Sequence, residues 1–332
     1  MSFEPTASVP ALKERARILG AIREFFAARG VLEVETPLLC AAGAVDAHLD
    51  PIPAEYRPPG LRSAPERRFL VTSPEHSMKR LLAAGSGPIY QITRAFRDGE
   101  RGRLHNPEFT ILEWYRPGWD HHALMDEVEA LVACVLRGAP AGGRIAAAPF
   151  ERVTYAQAFL DALGIHPQRV RPADLSRLAG LEGVPPPPGF DAEDVDAWLN
   201  LLLAARVEPG LGTERPTFLF DYPPSQAALA RVRQDDPPVA ERFELYVRGV
   251  ELANGYHELL DAGEQEHRYV EANAKRRAQG KPELPIDRRF LEALRAGLPS
   301  CAGVALGLDR LVLVALDARS IDDVIAFPHE RA

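Results

Sequence analysis

The chain has 332 residues, 46% of them hydrophobic and 26% charged, which gives room for a sizeable core and excludes disorder or fibrous structure as overall descriptions. Acidic residues outnumber basic ones 47 to 39, a formal charge of -8, so the chain is not a general binder of nucleic-acid phosphates. Three scattered cysteines, Cys40, Cys134 and Cys301, make neither a disulfide framework nor a Cys-based zinc motif. The first residues carry no charged-then-apolar leader, and no apolar run approaches the ~18 residues of a membrane span, so a cytoplasmic protein with no membrane segment is expected.

Residues 10–29 predict an amphipathic helix, with Pro10 in its first turn, Leu12, Ala16, Leu19, Ile22 and Phe26 at helical spacing, and Gly30 as its stop. The β-branched run 31–36 ends at Pro37 and reads as a strand; 40–68, rich in Pro and Arg, reads as loop or irregular strand. After a short strand at 69–72, Ser73-Pro74-Glu75 opens a helix with Pro at its first position. Strands follow at 88–93 and 109–115, then a helix at 124–137 that carries Cys134 on its core face. His121-His122 precedes that helix with no metal-ligand spacing and reads as a surface pair, while Trp114, Trp119 and Trp198 read as packing residues.

Residues 138–216 change character, with Gly142-Gly143, a proline run from Pro185 to Pro188, and helices predicted at 155–163 and 192–206. They are expected to form a helical insertion within one catalytic domain spanning 1–332. Beyond them come a strand at 217–220, a hairpin turning at Arg248-Gly249, helices at 264–278 and 287–296, and a strand-helix unit at 301–317. Strands cluster in blocks instead of alternating with helices, which favours an α+β fold, an antiparallel sheet flanked by helices, over a doubly wound one.

Three segments carry chemistry. The first, FRDGERGRLHNPEFTILEWY from Phe96 to Tyr115, packs Arg97, Arg101, Arg103 and His105 into a glycine-bearing turn before an apolar strand. Guanidinium binds phosphate bidentately and never deprotonates, so the turn suits an anionic phosphate, although spacing alone equally fits a solvated charged hairpin. Glu113 and Tyr115, two apart on a strand, share a face and could form a pocket for a cationic amine or be a surface pair. The second is ERFELYVRGVELANGYHE, residues 241–258. With a two-residue turn at Arg248-Gly249, Tyr246 faces Glu251, and Glu244 lies on the face of Glu251 at a diagonal distance of about 7–8 Å. Two carboxylates so placed suit Mg²⁺, or are simply solvated. Strict alternation puts Asn254 and Glu258 opposite Glu251 unless Gly255 breaks it. The third, GVALGLDRL, residues 303–311, combines Gly303 and Gly307 with Arg310 at the next helix, a pattern that can bracket a planar ligand.

With the opening helix and VLEVETPLL, these segments resemble the three motifs of class II aminoacyl-tRNA synthetases: that helix and strand match the first motif, which in that family forms a homodimer interface, the arginine turn matches the second, and GVALGLDRL the third. TSPEHSMKRLL, HNPEFT, ELANGYHEL and GLDRL resemble lysyl-tRNA synthetase in particular. The first-motif helix begins near residue 10, so no anticodon-binding module is expected before it. A freestanding domain of this kind is similar to the elongation factor P (R)-β-lysine ligase family, as are ASVPALKERARIL, AERFELYVRGVELANGYHELLDAGEQ and DDVIAF.

The resemblance implies a class II synthetase-like fold and activation of (R)-β-lysine, or lysine, by ATP with Mg²⁺, followed by transfer to a lysine of elongation factor P. It implies that Arg97 acts catalytically on the α-phosphate and the substrate carboxylate. His105 and Asn106 would contact ATP, Phe109 would stack on adenine and Arg310 would cover its other face, with Asp98, Glu100, Glu251, Leu252 and Gly307 completing the nucleotide site. Glu244 and Glu251 would bind Mg²⁺. Ser73, Pro74, Glu75, Asn254 and Tyr256 would bind the amino acid, Glu75 at the amine near its carboxylate, while Glu113, Glu258 and Tyr115 pair with the distal ammonium. Two departures stand out: the acid after Arg97 is displaced by one residue from the usual Arg-x-Glu, and Ala305 stands where lysyl-tRNA synthetases generally have Gly, a change expected to favour the β-amino isomer. Other readings are a minimal enzyme that charges tRNA or another acceptor, and a catalytically silent paralogue. The silent reading predicts loss of charged site residues, yet Arg97, Glu113, Glu244, Glu251, Glu258 and Arg310 are all present. A protein is expected as acceptor, not tRNA.

Overall fold

The computed structural model describes residues 3–59, 64–145 and 149–332. Helix α1 (Val9–Ala27) starts where the Ala11 amide donates to Ser8 Oγ and Pro10 fills the first turn. Its buried stripe is Ala11, Ile18, Ile22, Phe25 and Phe26, rotated from the predicted face, and Ala16 is exposed. Arg15 supplies the missing step of that stripe, which a search for apolar residues passes over.

In chain order there follow β1 (Leu32–Glu33), β2 (Leu39–Cys40), β3 (Pro53–Tyr56), β4 (Glu66–Leu70), α2 (Glu75–Ala83), β5 (Ile89–Phe96) and β6 (Glu108–Pro117). Next are α3 (His121–Leu136), α4 (Gly142–Ile145), β7 (Glu151–Thr154), α5 (Tyr155–Leu163), α6 (Pro172–Leu181) and α7 (Val195–Leu202). The rest are β8 (Thr217–Tyr222), β9 (Val232–Arg233), β10 (Val239–Val247), β11 (Val250–His257), α8 (Ala262–Ala278), α9 (Arg288–Gly297), β12 (Cys301–Gly307) and α10 (Leu308–Leu316). The strand expected at 31–36 is only the two residues of β1, and the stretch expected as loop or irregular strand, 40–68, supplies parts of a small sheet, with 60–63 outside the described residues. The helix expected at 192–206 becomes α7 followed by a π-helical turn, Leu203–Val207. Cys134, expected in the core, is exposed on α3.

The chain divides into two compact units, Met1–Trp119 with Leu259–Ala332, and Asp120–Glu258. In the first, strands run in the order β1-β5-β6-β12, antiparallel except for β1 beside β5, and β2-β4-β3 form a separate antiparallel sheet. The register sets Gln91 and Ala305 on either side of Glu113. Helix α10 packs on β6, β12 and α1 and is apolar nearly all round: Leu308, Leu311, Val312, Leu313, Val314 and Ala315 are all buried. Each buried Leu or Val there contributes roughly 1.5–3 kcal/mol. The buried acid of that helix, Asp309, is compensated, since Arg15 Nη1 donates to Oδ1 at 2.5 Å and the Thr110 amide to Oδ2 at 2.8 Å.

The second unit holds strands in the order β11-β10-β8-β7, with β9 beside β10; β7 and β8 are parallel and the other pairs antiparallel. Helix α3 packs on β10 and β11, and α5 on β7 and β8. Residues 138–216 contribute α4 to α7 and β7, with 146–148 outside the described residues. An aromatic core of Tyr155, Phe159, Trp198 and Tyr222 joins these helices to the sheet. Among the described residues no helix is long and apolar enough to cross a membrane.

Candidate active site

In the first unit, Ser73 ends the segment leading to α2, and its Oγ accepts the Glu75 amide at 3.0 Å. Pro74 caps α2 instead of entering it, so the helix starts at Glu75, one residue later than the sequence pattern predicts. This turn sends the Ser73 hydroxyl to Glu113 on β6, donating to Oε2 at 2.7 Å. Tyr115, two residues on and on the same strand face, donates to Glu113 Oε1 at 2.7 Å. Glu113 is 2% exposed. Burial, and then the charge of Glu75, push its pKa up to about 7, against the hydrogen bonds from Tyr115 and Ser73 and the charge of Lys79. Lys79, buried one turn along α2, donates from Nζ to Glu75 Oε1 at 2.5 Å. Sequence reasoning passed over Lys79, although Glu75 and Lys79 four apart on a helix was its signal.

The arginine turn is ordered by its own residues. Arg97 lies with its guanidinium carbon 4.9 Å from the Phe109 ring centre and reaches Glu100 at 3.7 Å, so the displaced acid still pairs with the motif arginine. Gly99 has φ +74, the backbone state that lets the chain turn between Asp98 and Glu100. Asp98 is exposed and its amide donates to Asp50 O. Arg310 Nη2 lies 2.6 Å from His105 Nε2, and burial with the Arg310 charge holds His105 below the ordinary imidazole range, so the ring is the acceptor. Gly307 at the start of α10 faces the Arg310 side chain, which a Cβ there would touch at 3.7 Å. Asn106 is buried with both ends of its amide on main chain: Nδ2 donates to Glu108 O and Oδ1 accepts the His329 amide. The Arg15–Asp309 pair, which holds α1 to α10, was also passed over.

In the second unit the hairpin turns at Arg248 and Gly249, φ +53 and +69, a type I′ turn. Tyr246 pairs with Glu251 as expected, but a bulge then opposes Glu251 and Leu252 to Tyr246, so that Leu245 meets Ala253 and Glu244 meets Asn254. The extra residue reverses the parity expected from strict alternation: Asn254 is now directly across from Glu244, and Tyr256 across from Arg242. Leu252, the bulged residue, is buried. Glu244 accepts from Arg242 Nη2 at 2.5 Å, from Asn254 Nδ2 at 3.2 Å and from Tyr246 Oη at 2.6 Å. Asn254 Oδ1 is buried with no hydrogen-bond partner among the described residues. Glu258, just past β11, is 1% exposed, and its carbonyl accepts Arg231 Nε at 2.8 Å. His121, expected at the surface, is instead buried at the start of α3.

A family model for class II tRNA synthetases (D, K and N) matches residues 5–331. The chain is similar to the elongation factor P–(R)-β-lysine ligase of Vibrio cholerae serotype O1, 51% identical over 331 residues that cover 99% of this chain and 98% of that protein. It is similar also to the proteins of that name from Salmonella gallinarum, 49% identical over 340 residues, and Salmonella typhi, 50% identical over 340; each alignment covers 100% of this chain and 98% of the relative.

Proposed function

Because the chain belongs to the class II tRNA synthetases of the D, K and N type, and among them to the elongation factor P–(R)-β-lysine ligases, we propose that it activates (R)-β-lysine with ATP and transfers it to a lysine side chain of elongation factor P. In the first step a carboxylate oxygen of the amino acid attacks the α-phosphorus and pyrophosphate leaves. In the second, the acceptor amine attacks the carbonyl carbon of the adenylate, AMP leaves, and an amide forms.

The observation that supports this reading best is Glu113, a buried acid held at both oxygens by hydroxyl donors, with Glu75 as its charged neighbour. A buried acid raised by another acid is relieved by a cation, and the amines of a lysine-type substrate supply one at each end. In the proposed assignment Glu113, Tyr115 and Glu258 take the distal ammonium, while Ser73 and Glu75 take the amine near the carboxylate. Asn254 and Tyr256 complete the amino-acid site. Ala305 neighbours Glu113 across the β6–β12 pair, where its methyl trims the pocket in favour of a β-amino group.

Arg97 bridges the α-phosphate and the substrate carboxylate, opposing the charge that grows on phosphorus. The adenine lies between Phe109 and Arg310, and His105 and Asn106 order the loop beneath it, with Asp98 and Glu100 beside the motif arginine. Leu252 and Gly307 contribute backbone to the nucleotide site. Glu244 and Glu251, together with the orphan Asn254 Oδ1, offer the hard oxygen donors that Mg²⁺ prefers, and are the residues assigned to it. When bound, Mg²⁺ offsets the triphosphate charge and orients pyrophosphate for departure. A homodimer through the first-motif segment and action in the cytoplasm complete the proposal.

The test is incubation with ATP, (R)-β-lysine and either elongation factor P or tRNA, with products read by mass spectrometry. Mass gain on elongation factor P alone is expected; aminoacylated tRNA with unmodified protein overturns the proposal. In the same assay Ala305→Gly should shift product toward α-lysine, and an unchanged α/β ratio would remove Ala305 from the specificity argument.

A further inference from the structure

Within the second unit, β10 carries two separate carboxylate networks. Glu244 is engaged by Arg242, Tyr246 and Asn254. Glu241, by contrast, meets His257 and Arg233: His257 Nδ1 lies 2.6 Å from its Oε2, and Arg233 Nη1 donates to Oε1 at 3.4 Å. The proposed ligase chemistry uses none of these three side chains.

His121 is the anomaly of this region. The ring is 1% exposed, yet neither Nδ1 nor Nε2 has a hydrogen-bond partner among the described residues. A buried imidazole without partners is unfavourable, and such a group calls for an explanation. Asp221 Oδ1 is likewise buried and without a hydrogen-bond partner. It lies 3.7 Å from His121 Nε2, beyond hydrogen-bonding distance but near the separation of about 3.3 Å that two ligands keep around a tetrahedral zinc ion. Asp221 holds this position with φ +59, an uncommon backbone state for a residue with a side chain.

Arg233 explains why the acids present one oxygen each. Its Nη2 takes Asp221 Oδ2 at 2.8 Å while Nη1 takes Glu241 Oε1, which leaves Oδ1 toward His121 and Oε2 toward His257. This is how outer groups orient the ligands of a metal: one atom of the carboxylate is anchored and the other is aimed. The His121 and His257 rings lie 6.5 Å apart between centres, and one donor atom each of His121, Glu241 and His257 fall within 4.8 Å of one another.

We propose that His121, Glu241 and His257 bind a divalent transition-metal ion of the zinc class, with Asp221 Oδ1 as the fourth donor beside His121. Two imidazoles with carboxylate oxygens select zinc, cobalt or nickel over Mg²⁺. The ion would tie the first residue of α3 to β8, to β10 and to the end of β11, a structural role apart from ATP.

The test uses the full-length chain, stripped with a chelator and reloaded with Zn²⁺ in excess Mg²⁺, which occupies the hard-oxygen donors. Zinc retained after desalting is counted by plasma mass spectrometry, and Co²⁺ is titrated as a visible-absorbing substitute. One zinc per chain is expected, with cobalt absorption bands of a nitrogen–oxygen site. His121→Ala and His257→Ala should each weaken binding by roughly 100-fold or more, whereas Glu244→Gln should leave it intact. Circular dichroism checks the fold, and His121→Gln is the reserve variant should His121→Ala not fold. Failure of the wild-type chain to retain zinc overturns the proposal, as does binding by the folded histidine variants at wild-type strength.

Discussion

Glu113 is asked to be both buried and charged. Its burial and the nearby Glu75 raise its pKa to about 7, so near neutrality the unliganded protein is divided between the acid and the carboxylate. Only the carboxylate pairs with an ammonium, and the ammonium of a lysine-type substrate stays protonated throughout this range. The proton must therefore leave before or during binding, and affinity should rise as pH rises through 7. We predict that KM for the amino acid falls roughly tenfold between pH 6 and pH 8, since one pH unit below the pKa leaves about a tenth of the carboxylate. Glu113→Gln should flatten that profile as well as weaken binding. Ser73→Ala, which removes a hydrogen bond that favours the carboxylate, should move the inflection upward. A KM independent of pH over this span would contradict the assigned role. Folding follows the opposite sign: the native state binds the Glu113 proton more tightly than the unfolded chain, so this group's contribution is present below its ordinary pKa of 4.5 and is lost as pH rises toward 7.

The hairpin of β10 and β11 shows how an element depends on contacts beyond its own residues. Its turn is braced from outside, for the Arg248 amide donates to Gly212 O at 2.7 Å and the Gly249 amide to Leu211 O at 2.8 Å. Gly212 sits at φ +70, and a Cβ there would come within 2.4 Å of Tyr246 O, so both backbone conformation and space demand glycine. Gly212→Ala should cost about 2–3 kcal/mol, read as a lower midpoint in denaturant with unchanged slope, and a wild-type midpoint would refute the close approach. The Arg-Gly turn itself was legible in the sequence, and so were the Tyr246–Glu251 pair and the shared face of Glu113 and Tyr115, because each follows from spacing of a few residues. The parity of Asn254 was not. A bulge at Leu252 is decided by how buried side chains settle across two strands, and no spacing rule reports that. The same limit hid the environment of His121, whose neighbours Asp221, Glu241 and His257 lie at least 100 positions further along the chain, and the role of Arg15, whose partner Asp309 is 294 positions away. Local chemistry was readable; charges whose partners are remote in sequence were not.

At the scale of the whole molecule, the segment that resembles the first motif ends with apolar side chains facing solvent: Leu32 is 56% exposed and Leu39 43%. Single exposed leucines are ordinary, and two on short strands within eight residues gain meaning only through the proposed homodimer. A two-fold interface uses the same patch on both partners, so every substitution there is made twice. If each Leu32 loses about 2 kcal/mol of burial on becoming charged, the pair loses about 4 kcal/mol, roughly a thousandfold in dimer dissociation constant. Sedimentation of Leu32→Asp at micromolar concentration should therefore show monomer where the wild-type chain shows dimer. The Leu32 backbone already donates to Pro88 O, and that bond does not depend on the side chain, so the variant should keep the wild-type circular dichroism spectrum. A wild-type monomer, or a variant that remains dimeric at the same concentration, would place the interface elsewhere or remove it. The arithmetic also separates the two explanations of exposed leucine: an interface responds with the square of the substitution, whereas an isolated surface residue leaves the sedimenting mass unchanged and the stability within about 0.5 kcal/mol of the starting chain.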